Sequence, residues 1–362
     1  MTNECKCNTL NAIFEFFTSF TITPGRICDS MLQYRSSAED YGSFTEMSDT
    51  GIPSSVRIAT GSIYFLVSTT LFVITVVVMT SIITSKKLRS TASYVIIMNI
   101  LMAASIQLIV HAVGGIMAIA DTNFFSWLDK ILGACAQLGW CTVNVLTFSL
   151  ALNRLAIFVN VPIIKEFKAI KPTIVLIIFS WMCGVYFFVV LMTPNAALRF
   201  FISDLIWDYD KLPLKPLLTL SERLIIVPSF ALSLISYLII CCKIFYMQKS
   251  ANSREIRLLI MAIVTFIDEA LLFSIYQFGA DVLPDSPYTW VGANFHWIME
   301  CGLHATALLC VNSVLRERIF DAVRKGKVPL FVASPNSTTS ISSVTPKKSI
   351  AARVMPWSKD SK

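Results

Sequence analysis

Three carboxylates stand inside stretches that are otherwise apolar. Asp268 and Glu269 interrupt Leu258–Ala280, and Glu300 interrupts Ser286–Leu315. An ionised carboxylate in hydrocarbon costs about 2.5–3.5 kcal/mol on insertion scales, so such groups face a protein interior or a watery cavity. Adjacent helical positions point about 100° apart, which keeps Asp268 and Glu269 off a common face. Glu269 shares its stripe with Thr265 and Tyr276. Asp268 has mostly apolar neighbours on its own face and is expected to be protonated or paired. Glu269 and Glu300 could act as a ligand counter-ion or a protonation switch. The plainer alternative is an interhelical hydrogen bond that only fixes packing.

His296, Glu300 and His304 recur at four-residue spacing, which stacks them along one side of a helix. That spacing can ligate zinc. One helix rarely supplies three ligands to one ion, however, and eight residues span about 12 Å. A polar network through the interior is the expectation, with no metal and no cofactor. Other polar stripes point the same way. Asn99, Gln107 and His111 follow one face; Gln137, Cys141 and Asn144 follow another, with Trp140 adjacent. Singly, such residues are more often packing groups than ligand contacts. Their convergence would mark a small-molecule pocket made of Gln107, His111, Gln137, Trp140, Asn144, Glu269, Tyr276, His296 and Glu300. No Gly-rich phosphate loop, HExxH or nucleophile elbow occurs, so no catalytic residue is assigned and an enzyme is not expected.

These residues must be positioned by membrane helices. Seven long apolar runs are separated by short charged segments: Ile58–Ser85, Ser90–Ala120, Ile131–Asn153, Pro172–Leu198, Leu224–Cys242, Leu258–Ala280 and Ser286–Leu315. A helix needs roughly 20 apolar residues to cross about 30 Å of hydrocarbon. A lipid-exposed backbone must satisfy its own hydrogen bonds, which selects helices. The chain is 55% hydrophobic and 15% charged, against about 25% charged in ordinary globular chains. Its net charge of +7 does not indicate nucleic acid, because no stacking platform or zinc-finger spacing accompanies it. The expected fold is an all-α membrane protein: a seven-transmembrane bundle over 58–311, then a short cytosolic amphipathic helix over 312–327.

Loop charges set the orientation. Of the 30 Lys and Arg residues, 21 fall in the first, third and fifth connections and the tail, with five acids; the other side carries nine basic residues and fifteen acids. The positive-inside rule puts the N-terminus outside and the C-terminus in the cytosol. No cleavable signal peptide is evident. The N-terminal segment, 1–57, is polar and acidic and holds Cys5, Cys7 and Cys28; their pairing is left open. The tail, 328–362, is Ser/Thr-rich and expected to be disordered. Ser337 to Thr345 offers either a phosphorylatable cluster for arrestin-like capture or a plain solvated segment.

Several short motifs, in the right spans and order, resemble those of known receptors. Asn153-Arg154 at the end of the third run resembles the Asn-Arg form of the Asp-Arg-Tyr motif of rhodopsin-like G-protein-coupled receptors. Ile106–His111 followed by Gly114-Gly115 is similar to the second span of nematode serpentine chemoreceptors, classes T and X. Leu309–Arg316 is similar to their exit from the seventh span. Trp181 and Pro228 stand where the fourth and fifth spans of such receptors carry these residues. The resemblance covers roughly Ile58 to Val328. It implies a divergent rhodopsin-like chemoreceptor in which Asn153, Arg154, Lys243, Arg254 and Arg257 meet a heterotrimeric G protein. Read without the resemblance, Arg154 is a snorkelling interface Arg and the other cations are positive-inside bias.

The departures are as informative. The family's Cys at the outer end of the third helix would fall near Asp129, and the loop Pro194–Arg223 has no Cys, so the usual loop-to-helix disulfide is absent. The sixth run lacks the Trp-x-Pro kink, and His304-Ala305 replaces Asn-Pro. The function expected is reception of a small environmental molecule in the outer half of the bundle, with G-protein activation, at the plasma membrane of a sensory cilium. The rival is a transporter or ligand-gated channel that uses the buried carboxylates.

Overall fold

The computed structural model describes residues 52–159, 166–247, 253–284 and 286–324. Seven helices lie in it in the order expected: α1 Ser54–Ile83, α2 Ala92–Ala120, α3 Ser126–Phe158, α4 Ile170–Leu191, α5 Lys215–Met247, α6 Ser253–Val282 and α7 Pro287–Val311. Six of them are each long and apolar enough to cross a membrane; α7 qualifies together with α8, Ser313–Arg324, from which it is bent by 92°. The protein is a seven-transmembrane bundle with α8 turned aside at its end. The N-terminal segment with Cys5, Cys7 and Cys28, the Ser337–Thr345 cluster and the tail lie outside the described residues, as does the side chain of Arg254.

Mid-span hydroxyls do not break these helices, because they bond back to their own backbone. Ser62, Thr70, Thr75, Thr80 and Ser81 of α1 each donate to the carbonyl four residues earlier. Pro228 sits inside α5, where it lacks the donor for the preceding turn. Ser229 donates to the Ile225 carbonyl at 2.8 Å beside it.

Helix α3 is the axis of the bundle and packs on α2, α4, α5 and α6. Its buried face runs almost without interruption from Asp129 to Ala156. Helices α1 and α2 cross at close range. A Cβ on Gly61 would stand 2.7 Å from the Gly115 carbonyl oxygen, and one on Gly115 would stand 2.7 Å from the Gly61 oxygen. Only paired glycines allow that approach, the small-residue route to close helix packing in lipid. At one end of the bundle the Asn99 amide oxygen accepts from the Trp181 indole at 3.0 Å, tying α2 to α4.

The connection between α4 and α5 carries a feature beyond an all-α description: an antiparallel hairpin, β1 Leu198–Phe201 and β2 Ile206–Tyr209. Its alternation is that of a half-buried sheet. Leu198, Phe200, Trp207 and Tyr209 are buried, while Arg199 and Asp208 face each other on the other side. The turn is held with Leu205 at φ 53°. A bulky residue in that left-handed region is costly, and complete burial of the Leu205 side chain keeps it there.

Asp129 fastens this hairpin to the start of α3. Its Oδ1 accepts the Phe200 backbone N–H at 3.1 Å, and its Oδ2 lies 3.6 Å from the Arg199 guanidinium. The Asn123 amide donates to the Phe200 carbonyl at 2.8 Å. Both open backbone groups of this edge residue are therefore taken by side chains. The carboxylate makes a polar tether between α3 and the hairpin.

Candidate functional site

Beneath the hairpin, four of the residues singled out in the sequence meet around one that was not, Trp297 of α7. The Trp297 indole donates to Gln107 Oε1 at 2.8 Å. Its ring lies edge-on to His111 at 4.9 Å, to Tyr276 at 5.3 Å and to Trp140 at 5.6 Å between centroids. Spans α2, α3, α6 and α7 each contribute one member or more. Edge-to-face aromatic contacts add about 0.5–1.5 kcal/mol each beyond their burial, so the cluster is a stiff frame. It is also polar: both His111 ring nitrogens, the Gln107 amide nitrogen and the Tyr276 hydroxyl are buried with no hydrogen-bond partner among the described residues. A buried unsatisfied polar group costs about 1–3 kcal/mol. These three side chains present unused hydrogen-bonding capacity inside an aromatic box.

The hairpin closes the box. Trp207 packs with Phe200 at 5.3 Å, and a Cβ on Gly114 of α2 would lie 3.1 Å from its indole nitrogen. On the α5 side Glu222 binds both elements: Trp140 Nε1 donates to Oε1 at 2.8 Å and the Tyr209 hydroxyl to Oε2 at 3.1 Å, with Gln137 beside it. Burial, and after it the Glu222 carboxylate alongside, push the Tyr209 hydroxyl well above the ordinary phenol range. Sequence reasoning missed Glu222. The apolar run of the fifth span begins at Leu224, so Glu222 was counted with the loop. Helix α5 in fact starts at Lys215 and carries Glu222 two turns inside. Its spacing from Ile226, Ser229 and Ser233, all inward, was the available signal.

A second layer lies about 10 Å further along. Each of its members sits seven residues from a member of the first: Thr147 from Trp140, Glu269 from Tyr276, His304 from Trp297. Seven residues are nearly two turns, so both layers occupy the same helix faces. His304 Nε2 is 2.8 Å from Glu269 Oε1, and the Thr147 hydroxyl donates to the same oxygen at 2.8 Å. Glu300 stands over this pair on α7, 1% exposed, with the Cys301 thiol beside it.

His296 does not join either layer. A four-residue step turns the helix by about 40° beyond a full circle, so His296 and His304 diverge by about 80°. His296 is only half-buried and pairs with Asp268 at 3.1 Å, on the outer side of the α6–α7 contact. The lone stripe of three expected on α7 is thus split. Asn144 is fully buried on α3, where its amide donates to the Trp140 carbonyl at 2.8 Å.

Seven residues below Thr147 on α3 comes Arg154, which is 0% exposed. A snorkelling Arg would reach outward, so that reading fails here. Tyr237 of α5 lies within electrostatic reach of both Arg154 and Glu269 and packs on Phe266 of α6 at 5.6 Å. Asn153 is a fastener: it accepts from Ser93 at 2.6 Å and donates to the Phe167 carbonyl at 2.8 Å. Lys243 is half-buried and Arg257 exposed at the same end of the bundle. A cavity of about 60 Å³ there is lined by Tyr94, Arg257, Leu258 and the α7–α8 corner. A larger groove of about 410 Å³, with Met182, Tyr186 and Leu224 in its lining, lies on the outer face between α4 and α5, away from the aromatic box.

Residues 39–329 match the family described as Serpentine type 7TM GPCR chemoreceptor Srt. The chain belongs to this family. Of the two serpentine classes its motifs resemble, T is the one matched. The receptor also shares its fold with solved structures. The crystal structure of squid rhodopsin superposes with a TM-score of 0.60 at 14% identity, over 79% of this chain and 92% of that one. No curated protein sequence matches. The receptor therefore carries a rhodopsin-like bundle with its own interior: a Glu–His–Thr layer under an aromatic box, and a carboxylate tether for the hairpin.

Proposed function

We propose that the receptor detects a small environmental molecule in the aromatic box and activates a heterotrimeric G protein from the opposite end. The observation that carries this is the meeting of Gln107, His111, Trp140 and Tyr276 around Trp297, since four spans contribute to one half-polar, half-aromatic frame. A neutral or weakly polar ligand with a flat apolar body suits it. The aromatic edges would cover its surface, and the open His111, Gln107 and Tyr276 groups would take its polar atom. Ligand contact at Trp297 would be felt two turns away at His304 and Glu269, then through Tyr237 at Arg154. By population shift, only a ligand with different affinities for two arrangements of these helices drives the change.

The lopsided loop charge supports an outside N-terminus, the hairpin on the outer side, and Arg154, Lys243, Arg254 and Arg257 facing the cytosol. A plasma membrane exposed to the environment, as in a sensory cilium, fits that role. Arrestin capture by the Ser337–Thr345 cluster remains part of the proposal on sequence alone.

The test is expression with a panel of G proteins and a screen of volatile and water-soluble cues, recording nucleotide exchange and membrane current together. At matched surface level, Trp297→Ala should lower ligand potency by at least about tenfold, roughly 1.4 kcal/mol. Arg154→Ala should leave ligand binding near wild type and remove most exchange. A ligand-driven current that persists in Arg154→Ala, with no exchange in wild type, would favour the transporter or channel reading instead.

A further inference from the structure

Glu269, Glu300 and His304 bring one ligand atom each within 4.8 Å of one another, and all three side chains are buried, at 0%, 1% and 2% exposure. They come from two helices, α6 and α7. Among the described residues Glu269 Oε2 has no hydrogen-bond partner, and the Glu300 carboxylate has at most the weak Cys301 thiol as a donor. Two carboxylates placed side by side in the middle of a membrane bundle with so few donors are a poor packing device. Hydrogen bonds alone would need donors; Thr147 and His304 both reach Glu269 Oε1, and the Cys301 thiol is a weak donor for Glu300. A doubly charged cation would satisfy the open oxygens and neutralise two ionised carboxylates at once.

We propose that Glu269, Glu300 and His304 form a binding site for one divalent transition-metal ion of the zinc class, shared between the sixth and seventh spans. The donor set selects the ion. One imidazole nitrogen and two carboxylate oxygens suit zinc, whereas hard cations such as sodium or calcium prefer an all-oxygen shell. Three protein ligands leave a fourth position open. Bonds of about 2.0–2.2 Å in a tetrahedron hold ligand atoms roughly 3.3 Å apart. The 2.8 Å contact between His304 and Glu269 needs to open by about half an ångström, and a rotamer change of the buried Glu300 side chain closes the remainder. Thr147 already holds the Glu269 carboxylate through Oε1, the outer-shell support that such sites carry.

The site stands apart from the ligand box. An ion bound there ties α6 to α7 and favours whichever arrangement of the two keeps the triad together, whatever the box holds. Asp268 and His296 on the same two helices make a more exposed pair nearby, and they serve as an internal control.

The experiment uses the purified full chain in lipid nanodiscs, equilibrated with zinc and measured for metal content, with cobalt(II) absorption as a second reading. Wild type should hold one zinc per chain and give the visible bands of a four- or five-coordinate cobalt site. Glu300→Gln and His304→Gln should each weaken zinc by at least about tenfold. His296→Gln should bind as wild type does. Wild-type protein that binds no zinc, or takes sodium in its place, overturns the proposal. So does zinc that is lost in His296→Gln and kept in the triad variants. If the triad variants fail to fold, wild-type stoichiometry and the cobalt spectrum decide. Neither reading depends on a signalling response, so failure here is distinct from failure of the receptor's ligand site.

Discussion

Removal of the Asp129 carboxylate should loosen the hairpin without disturbing the bundle. Asp129→Ala leaves the Phe200 N–H buried with no acceptor, a loss of about 1–3 kcal/mol. It also breaks the contact with Arg199, whose side chain is 33% exposed; screening limits that part to at most about 1 kcal/mol. The sum centres on roughly 2–3 kcal/mol of local stability, because the helices below keep their own contacts. One decade of equilibrium corresponds to about 1.4 kcal/mol. Backbone amides of β1 and β2 should then exchange roughly 30- to 150-fold faster in hydrogen-exchange mass spectrometry on nanodisc-embedded receptor. Asp129→Asn retains an acceptor for Phe200 and loses only the ion pair, so its amides should stay within about fivefold of wild type, the roughly 1 kcal/mol of a surface pair. Amides in α3 below Gly139 should not change in either variant. If Asp129→Ala leaves hairpin exchange within threefold of wild type, the carboxylate is not the tether, and Asn123 or the Phe200–Trp207 packing holds the strand instead.

Two other outcomes follow from the same structure. Glu222→Leu strands two buried donors, on Trp140 and Tyr209, and at about 1–3 kcal/mol each should cut surface expression severely; Glu222→Gln, which keeps an acceptor, should recover most of it, as cell-surface labelling would show. Epitopes placed after Met1 should be reachable on intact cells and those after Lys362 only after permeabilisation; the opposite labelling would refute the orientation drawn from the basic loops.

Hydrophobic length determined much of this protein in advance. Seven runs of about membrane thickness can only be helices in lipid, and their order gave the bundle and the amphipathic turn after it. The stripes through Gln107 and His111, and through Gln137, Cys141 and Asn144 with Trp140 adjacent, were legible because 3.6-residue periodicity fixes which side chains share a face. Arg154 could be singled out by position, although its burial could not. Periodicity is a property of one helix. It says nothing about which stripe of one span meets which stripe of another. Only the tertiary structure decided that Trp297 is the hub, that His296 turns out to Asp268 while His304 turns in to Glu269, and that Glu269 and Glu300 share one buried space. The hairpin and Glu222 were hidden for a related reason. Short strands carry little period of their own, and Glu222 stands before the apolar run whose spacing it joins; they acquire meaning only when Asp129 and Trp140, distant in the chain, are folded against them.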